Sequence, residues 1–377
     1  MANAKNVEEI QDKLKDRLRG TQYKCSHLEP LLGGSSNFVY RMTLSKPLDD
    51  GATLIIKHGE AYMAVASANK LNMSRCQIES SCLTLLASFN VHTDIDSMPR
   101  YTVRVPRLYL CDEKNGDQII EDLPGAINLK QYFLKNFPSS TQNLSQPNLH
   151  MLGKALAQYI LAFHSIAQND HQVRDAVKQN QQMQDIRHMT NYDWLIQRID
   201  KYPDILEDSR DIFQEVKKMA LRELRNPETL VPIHGDYWPG NILLKEGSLQ
   251  TRSEVDIFVV DWEMAQLGPS AIDHGEMIGE MYALWFYRKI DAGLWMIQGY
   301  ADGLGKQMED QVWRTILQIG VHLLAFGTIA PNWGTPEQVK DLAMVGKEIV
   351  VNSWKKDRSW VEGTEFACFF VNASNSA

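Results

Sequence analysis

The hydrophobic pattern of this chain changes period at Leu123-Pro124-Gly125, and that change restricts the fold more than any other feature. Before it, "FVYRMTL" (38–44) and "ATLIIKHG" (52–59) are short runs rich in β-branched and aromatic residues. They are joined by the Pro/Asp/Gly cluster "SKPLDDG", which closes an antiparallel hairpin. "SRCQIESSCLTLLASF" then predicts a helix, and "VRVPRLYLCD" and "QIIEDL" predict two further strands. After the change, runs such as "LGKALAQYILAFHSIA" repeat their apolar positions at helical spacing. The expected architecture is α+β and bilobal: residues 1–123 form a small antiparallel-sheet lobe with one helix, and residues 124–377 a larger, mainly helical lobe. With 377 residues, 44% of them hydrophobic, each lobe can bury its own core.

Two polar stretches interrupt the helical part, "PSSTQNLSQPN" (138–148) and the Gln/Asn-rich segment 168–185, and both read as solvated insertions. The net charge of −8 and the lack of a dense Lys/Arg run argue against nucleic acid as a partner, because little is present to neutralise a phosphate backbone. Five scattered cysteines without a C-x-x-C pair suggest neither a disulfide framework nor a zinc site, so a cytoplasmic location is expected. The charged N-terminal segment lacks the apolar core of a secretory signal, and no run of 18 apolar residues marks a membrane span.

Candidate chemistry gathers in "VPIHGDYWPGNILL" (231–244) and "IFVVDWEMAQLGPSAID" (257–273). In the second segment an apolar strand runs into Asp261 and Glu263, whose side chains point the same way if the strand continues through them. Two convergent carboxylates make an oxygen-rich site suited to Mg2+. Asn241 adds a neutral oxygen from the first segment, while Asp236, across the Pro239-Gly240 turn, is placed to face a hydroxyl. Phosphoryl transfer needs this division of labour, with metal ligands on one side and a separate carboxylate to orient the nucleophile and take its proton. A capped turn between two strands would use the same Asp and Asn types. The acidic pair downstream separates the two readings.

The first lobe carries the complementary parts. Gly33, Gly34, Ser35, Ser36 and Asn37 precede a strand, where backbone N–H groups and short side chains can lie over phosphates, although such a run also makes a plain turn. Lys57 ends an otherwise apolar strand, and a lysine on a sheet interior needs anionic partners. A phosphate and Glu79 of the following helix would supply them; the bland alternative is a surface ion pair.

Taken in order, these segments resemble the aminoglycoside phosphotransferase, choline kinase and methylthioribose kinase superfamily, whose members have a protein-kinase-like fold. The pattern H-G-D-x-x-x-x-N from His234 to Asn241, followed by Asp-Trp-Glu, carries the resemblance. The later Gly-Pro and Asp make it most similar to the methylthioribose-kinase-like branch, which includes 4-hydroxytryptamine kinase. The resemblance implies Asp236 as catalytic base, Asn241 and Asp261 as metal ligands, and Glu263 as a further metal-site carboxylate. It also implies Lys57 on the α- and β-phosphates of ATP with Glu79 as its ion-pair partner, and the backbone of Glu121, Asp122 and Leu123 as the adenine-binding hinge. Asp273, on the same likeness, braces the catalytic loop, and His234 is expected to be scaffold.

The expected function is therefore that of an ATP- and Mg-dependent kinase acting on the hydroxyl of a small molecule. Asp-Trp-Glu in place of Asp-Phe-Gly, with no A-P-E-like segment after it, argues against a protein kinase. A catalytically silent nucleotide-binding module would usually lack the lysine, the base or a metal ligand, and all are present. For the acceptor, Tyr237 and Trp238 in the loop and Glu276, Glu280 and Trp285 in "EMIGEMYALWFY" combine acids with aromatics, as an amine-binding site would. The same residues also suit packing within the helical lobe. Methylthioribose, an amino alcohol such as choline, a hydroxylated tryptamine and an aminoglycoside all stay open as acceptors, and the sequence does not set the oligomeric state.

Overall fold

The computed structural model describes residues 4–31, 34–48, 51–93, 99–137, 146–251, 253–330 and 333–371. The chain is α+β and divides into two compact units, Met1–Ser88 with Val105–Pro124 and Phe89–Arg104 with Gly125–Ala377.

In the first unit, five strands form an antiparallel sheet in the order Cys25–Pro30, Phe38–Leu48, Gly51–His58, Asp117–Glu121, Leu108–Asp112. Burial alternates residue by residue from Phe38 to Leu44, the period-two signature of a strand with one face in a core. Tyr40 and Met42 pair with Ile56 and Leu54 on that face. The N-terminal helix Ala4–Leu18 covers it with Ile10, Leu14 and Leu18, spaced four residues apart along one stripe. Each such side chain, fully buried, contributes roughly 1.5–3 kcal/mol. Lys57 sits one residue off this register, opposite Val39 and Gln118, and so belongs to the other face. There the helix Ser74–Leu85 supplies Glu79.

The expected strand "VRVPRLYLCD" is two strands that join different units. Arg100–Arg104 pairs parallel with Glu254–Val259 in the second unit, whereas Leu108–Asp112 pairs with Asp117–Glu121 in the first. Pro106 stands between them, and a residue with no N–H cannot continue a ladder. The segment Phe89–Arg104 therefore packs with the second unit, not with the rest of residues 1–123.

The second unit is built mainly of helices around a sheet of order Ala126–Asn128, Ile242–Lys245, Glu254–Val259, Arg100–Arg104, Val91–His92. The long helices Gln146–Asn169 and Ala292–Leu304 cross closely, because Gly299 lies against the His150 carbonyl with no room for a Cβ. The segment 168–185 is not a solvated insertion. It continues into helices His171–Lys178 and Gln181–His188, which bury Val173, Val177 and Met183. Its polar side chains are engaged as well: Asn180 Nδ2 donates to the carbonyls of Glu263 (3.0 Å) and Ala265 (2.8 Å), and Gln184 Nε2 to that of Leu267 (2.8 Å). Of the other polar stretch, residues 138–145 lie outside the described residues, and Gln146 to Asn148 open a helix. Among the described residues no helix is long and apolar enough to cross a membrane.

Candidate active site

The loop between Val231–Ile233 and Ile242–Lys245 is fixed from below by one buried carboxylate. Asp273, on the helix Ala271–Arg288, accepts from the backbone N–H of His234 (2.8 Å) and of Gly235 (2.9 Å), and also contacts His164 Nε2 (2.9 Å). Burial alone would raise the Asp273 pKa, but the His164 hydrogen bond and the nearby imidazoles outweigh it and hold the carboxyl below its ordinary value. Gly235 adopts φ +77°, and a Cβ there would meet the Met264 carbonyl, so the turn requires glycine. His234 is fully buried, and burial pushes its pKa down. The neutral ring donates from Nε2 to Val260 O (3.1 Å) and accepts at Nδ1 from the Asp236 N–H (3.2 Å), so it serves as scaffold.

Asp236 emerges from this brace with both carboxylate oxygens engaged. Asn241 Nδ2 donates to Oδ2 at 2.7 Å and to the Asp236 backbone carbonyl at 2.9 Å. Arg187 Nη2 donates to Oδ1 at 2.8 Å. The same guanidinium holds Glu276 in a fork, Nη1 to Oε1 and Nη2 to Oε2, both at 3.1 Å. Burial on its own would lower the Arg187 pKa, but Glu276 and Asp236 more than compensate and keep the guanidinium charged, while burial pushes the Glu276 pKa up against the pull of Arg187. Nothing in the sequence pattern singles out Arg187. It follows the Gln-rich segment and meets its partners 49 and 89 residues away.

The acidic turn differs from its expected form. The strand Glu254–Val259 stops short of Asp261, which adopts the left-handed region (φ 69°, ψ 54°), and Glu263 lies in the single 3-10 turn Trp262–Met264. The two carboxylates therefore do not share a strand face. Trp262 anchors this turn: it is fully buried, donates Nε1–H to Val259 O at 3.0 Å, and packs against His234 and Phe163 with ring centres 4.4 and 4.6 Å apart. Ile242 pairs with Val259, and the Val260 N–H donates to Asn241 O at 3.0 Å, so Asn241 and Asp261 are neighbours across the strand pair. Asp261 is partly exposed, whereas Glu263 is buried at 4% exposure.

Among the described residues no three or more His, Cys, Asp or Glu side chains cluster to hold a metal. Mg2+ does not need such a cage, since it is usually bound through one or two carboxylates, substrate phosphates and water. With Nδ2 of Asn241 on Asp236, its Oδ1 is the atom that could ligate such an ion, together with the Asp261 carboxylate.

The acceptor-side residues fare unevenly. Trp238 folds over Gly240, and its ring lies 5.0 Å from Lys130 Nζ. Tyr237 points the other way: it is fully buried and donates its hydroxyl to Leu156 O at 2.9 Å, so it packs the helical unit. Glu276 and Glu280 are one helical turn apart, but each already holds a cation of the chain. Glu280 accepts from Lys130 Nζ at 2.7 Å and lies 3.1 Å from His322 Nε2; burial alone would raise its pKa, yet these partners bring it down to about 2. Trp285 follows Glu280 by five residues, which turns it about 140° around the helix. It packs on Tyr282 and under Lys289.

In the first unit, Lys57 Nζ donates to both Glu79 oxygens, at 2.7 and 2.9 Å, with the two residues 7% and 2% exposed. Gly33 lies outside the described residues. Ser35 and Ser36 accept from the N–H groups of Val65 and Ala64 through their carbonyls, and Asn37 is buried with Oδ1 accepting from Arg75 at 3.0 Å. Gly34 precedes them, with Asn37 O at 3.3 Å from where its Cβ would stand. The Glu121 N–H donates to Arg107 O at 2.8 Å while its Oε2 accepts from the Arg107 N–H at 3.0 Å, and the Asp122 carboxylate accepts from Arg41 Nε and Nη2 at 2.9 and 3.2 Å. Leu123 is partly buried.

A model of the phosphotransferase enzyme family matches residues 27–312. The chain belongs to the phosphotransferase enzyme family. This phosphotransferase is 29% identical over 372 residues to phosphotransferase FrzJ of a Cladobotryum species, covering 96% of each chain. It is 23% identical over 329 residues to the 4-hydroxytryptamine kinase of Psilocybe cyanescens, covering 84% of this chain and 85% of that one. Among solved structures, an ethanolamine kinase of Plasmodium vivax aligns with TM-score 0.49 at 13% identity, covering 96% and 89%. Membership of the family implies a nucleotide as phosphoryl donor.

Proposed function

We propose that this phosphotransferase is an ATP- and Mg2+-dependent kinase that transfers the γ-phosphoryl group to a hydroxyl of a small metabolite, in the cytosol. The observation that carries the reading is the state of Asp236: a carboxylate held by Asn241 and Arg187, one residue of which also borders the acidic turn. Asp236 orients the acceptor O–H and takes its proton as the new O–P bond forms and the β–γ bridge breaks, leaving the diphosphate as product. Asn241 Oδ1 and Asp261 would hold Mg2+, with Glu263 as a buried carboxylate beside them. Bound there, the ion would neutralise charge on the transferring group. Lys57, clamped by Glu79, is assigned to the α- and β-phosphates, residues Gly33 to Asn37 to the phosphate loop, and the backbone of Glu121 to Leu123 to the adenine. Five free cysteines support the reducing compartment.

The acceptor is recognised through its hydroxyl. Glu276 and Glu280 would have to release Arg187 and Lys130 before binding an amine, so an ammonium group on the acceptor is not what these carboxylates are arranged to hold. The relatives that are 4-hydroxytryptamine kinases, by their name, act on a hydroxylated aromatic amine; here the phenol-type hydroxyl is the feature carried over. A metabolite extract incubated with Mg2+ and γ-labelled ATP tests the proposal. One labelled product, made by the wild type and absent with Asp236→Ala, is expected. Nucleotide binding with no labelled product from any acceptor would make the chain a silent binding module.

A further inference from the structure

Resting on that kinase reading, we infer that Arg187 is a positioning residue for the acceptor: with Glu276 it sets the plane of the Asp236 carboxylate and so fixes where the acceptor hydroxyl sits. The Asp236 side chain is 30% exposed, and a single hydrogen bond from Asn241 would leave the carboxylate free to swing about that contact. The second donor removes this freedom, because it comes to the other oxygen from a guanidinium whose own plane is locked by a two-point fork onto Glu276. A carboxylate offers about four lone-pair sites. Arg187 and Asn241 take one on each oxygen, and an incoming hydroxyl meets the two that are left.

The position of Arg187 is in turn keyed to the acidic turn. Its helix, Gln181–His188, begins at Asn180, which donates to the Glu263 and Ala265 carbonyls, and Gln184 of the same helix donates to Leu267 O. Immediately after it the backbone widens into the π-helical turn Met189–Asp193, where Asn191 Nδ2 donates back to Arg187 O at 2.9 Å. Irregular turns of this kind occur often at functional sites. Here the turn ends the helix one residue beyond the arginine. The segment that composition marks as a polar insertion thus connects the base to the backbone that carries Asp261 and Glu263. A buried arginine serving the fold alone would need only Glu276; its extra bond to a partly exposed loop carboxylate gives it a place in the acceptor site.

The test uses the full-length chain with γ-labelled ATP and the acceptor identified from extract. Arg187→Ala is expected to lower kcat by about a hundredfold, the scale of a misplaced reacting group, with the KM for ATP unchanged. Guanidinium chloride at tens of millimolar, roughly the concentration a small-ion rescue requires, is expected to restore part of kcat, and Glu276→Gln to keep most of it because the fork survives in part. Thermal melting and nucleotide binding of each variant establish that it folds. An Arg187→Ala enzyme with wild-type kcat overturns the role, as does one whose kcat falls while its ATP KM rises and which guanidinium does not rescue. A wild type that phosphorylates nothing overturns the kinase reading and this role with it.

Discussion

Asn241 donates its side-chain N–H to Asp236 at 2.7 Å, and that bond turns its oxygen away from the base. One residue thereby serves both halves of the loop. Asn241→Ala is expected to lower kcat by about a hundredfold, the loss of one preorganised polar group, and to raise the Mg2+ concentration for half-maximal rate. Magnesium titration of the initial rate checks it. An unchanged Mg2+ requirement would remove Asn241 from the metal site.

The Lys57–Glu79 pair is buried on both sides, so losing one partner strands the other. Lys57→Met is expected to destabilise the first unit by about 3–5 kcal/mol, and Lys57→Met with Glu79→Leu by less than either single change. Denaturant unfolding of the singles and the double measures this. A double change at the sum of the singles would mean that the two groups are not coupled.

How far the site can be read from sequence follows the reach of its contacts. Asp236 and Asn241 are five residues apart in one loop, so their spacing nearly determines their relation. Lys57 and Glu79 are 22 residues apart, on a strand and the next helix, and a cation at the end of an apolar strand announces a partner. Arg187 is different. Its partners are 49 and 89 residues away, and it follows a run whose Gln and Asn content reads as solvated. Among them Asn180 is buried by satisfying the carbonyls of Glu263 and Ala265, and half-buried Gln184 donates to Leu267 O, contacts that composition does not encode. The same limit applies to Arg100–Arg104, whose β-rich pattern is legible but whose partner strand, more than 150 residues later, is not. Asp261 fails as a strand residue because its backbone turns left-handed, and Tyr237 fails as an acceptor contact because a tyrosine in a loop can face either way.

Lys130 fills the space between Trp238, Trp333 and Glu280, the space an acceptor ammonium would need if these residues held one. Its Nζ lies 4.1 Å from the Trp333 ring and 5.0 Å from that of Trp238, and it bonds to Glu280. Choline is expected to leave tryptophan fluorescence of the wild type unchanged and to quench that of Lys130→Ala, by cation–π contact with the freed rings. Equal quenching in both proteins would return Glu280 to the list of acceptor ligands.

His274 gives the fold a specific acid sensitivity. It is fully buried against Tyr300 and His164, and burial pushes its pKa down from 6.5 to about 3, with His164 adding to the effect. The unfolded chain protonates this group below pH 6.5 while the folded chain does not until about 3. Its contribution to stability is therefore complete above 6.5 and declines as pH falls through that window, by about 2 kcal/mol at pH 5. Denaturant midpoints of wild type and His274→Asn at pH 7 and pH 5 check this, with a flatter dependence expected for the variant. Parallel slopes would assign the acid sensitivity elsewhere.

The proposed phosphoryl transfer depends on Asp236 as the group that receives the acceptor's proton. Asp236→Asn keeps the size and the hydrogen bond to Arg187 or Asn241 but removes the base. Measured side by side, phosphoryl transfer from γ-labelled ATP is expected to fall by about a thousandfold or more, within the range of general-base loss, while Mg–ATP binding by calorimetry stays at the wild-type value. Transfer at the wild-type rate in the Asp236→Asn enzyme would contradict it.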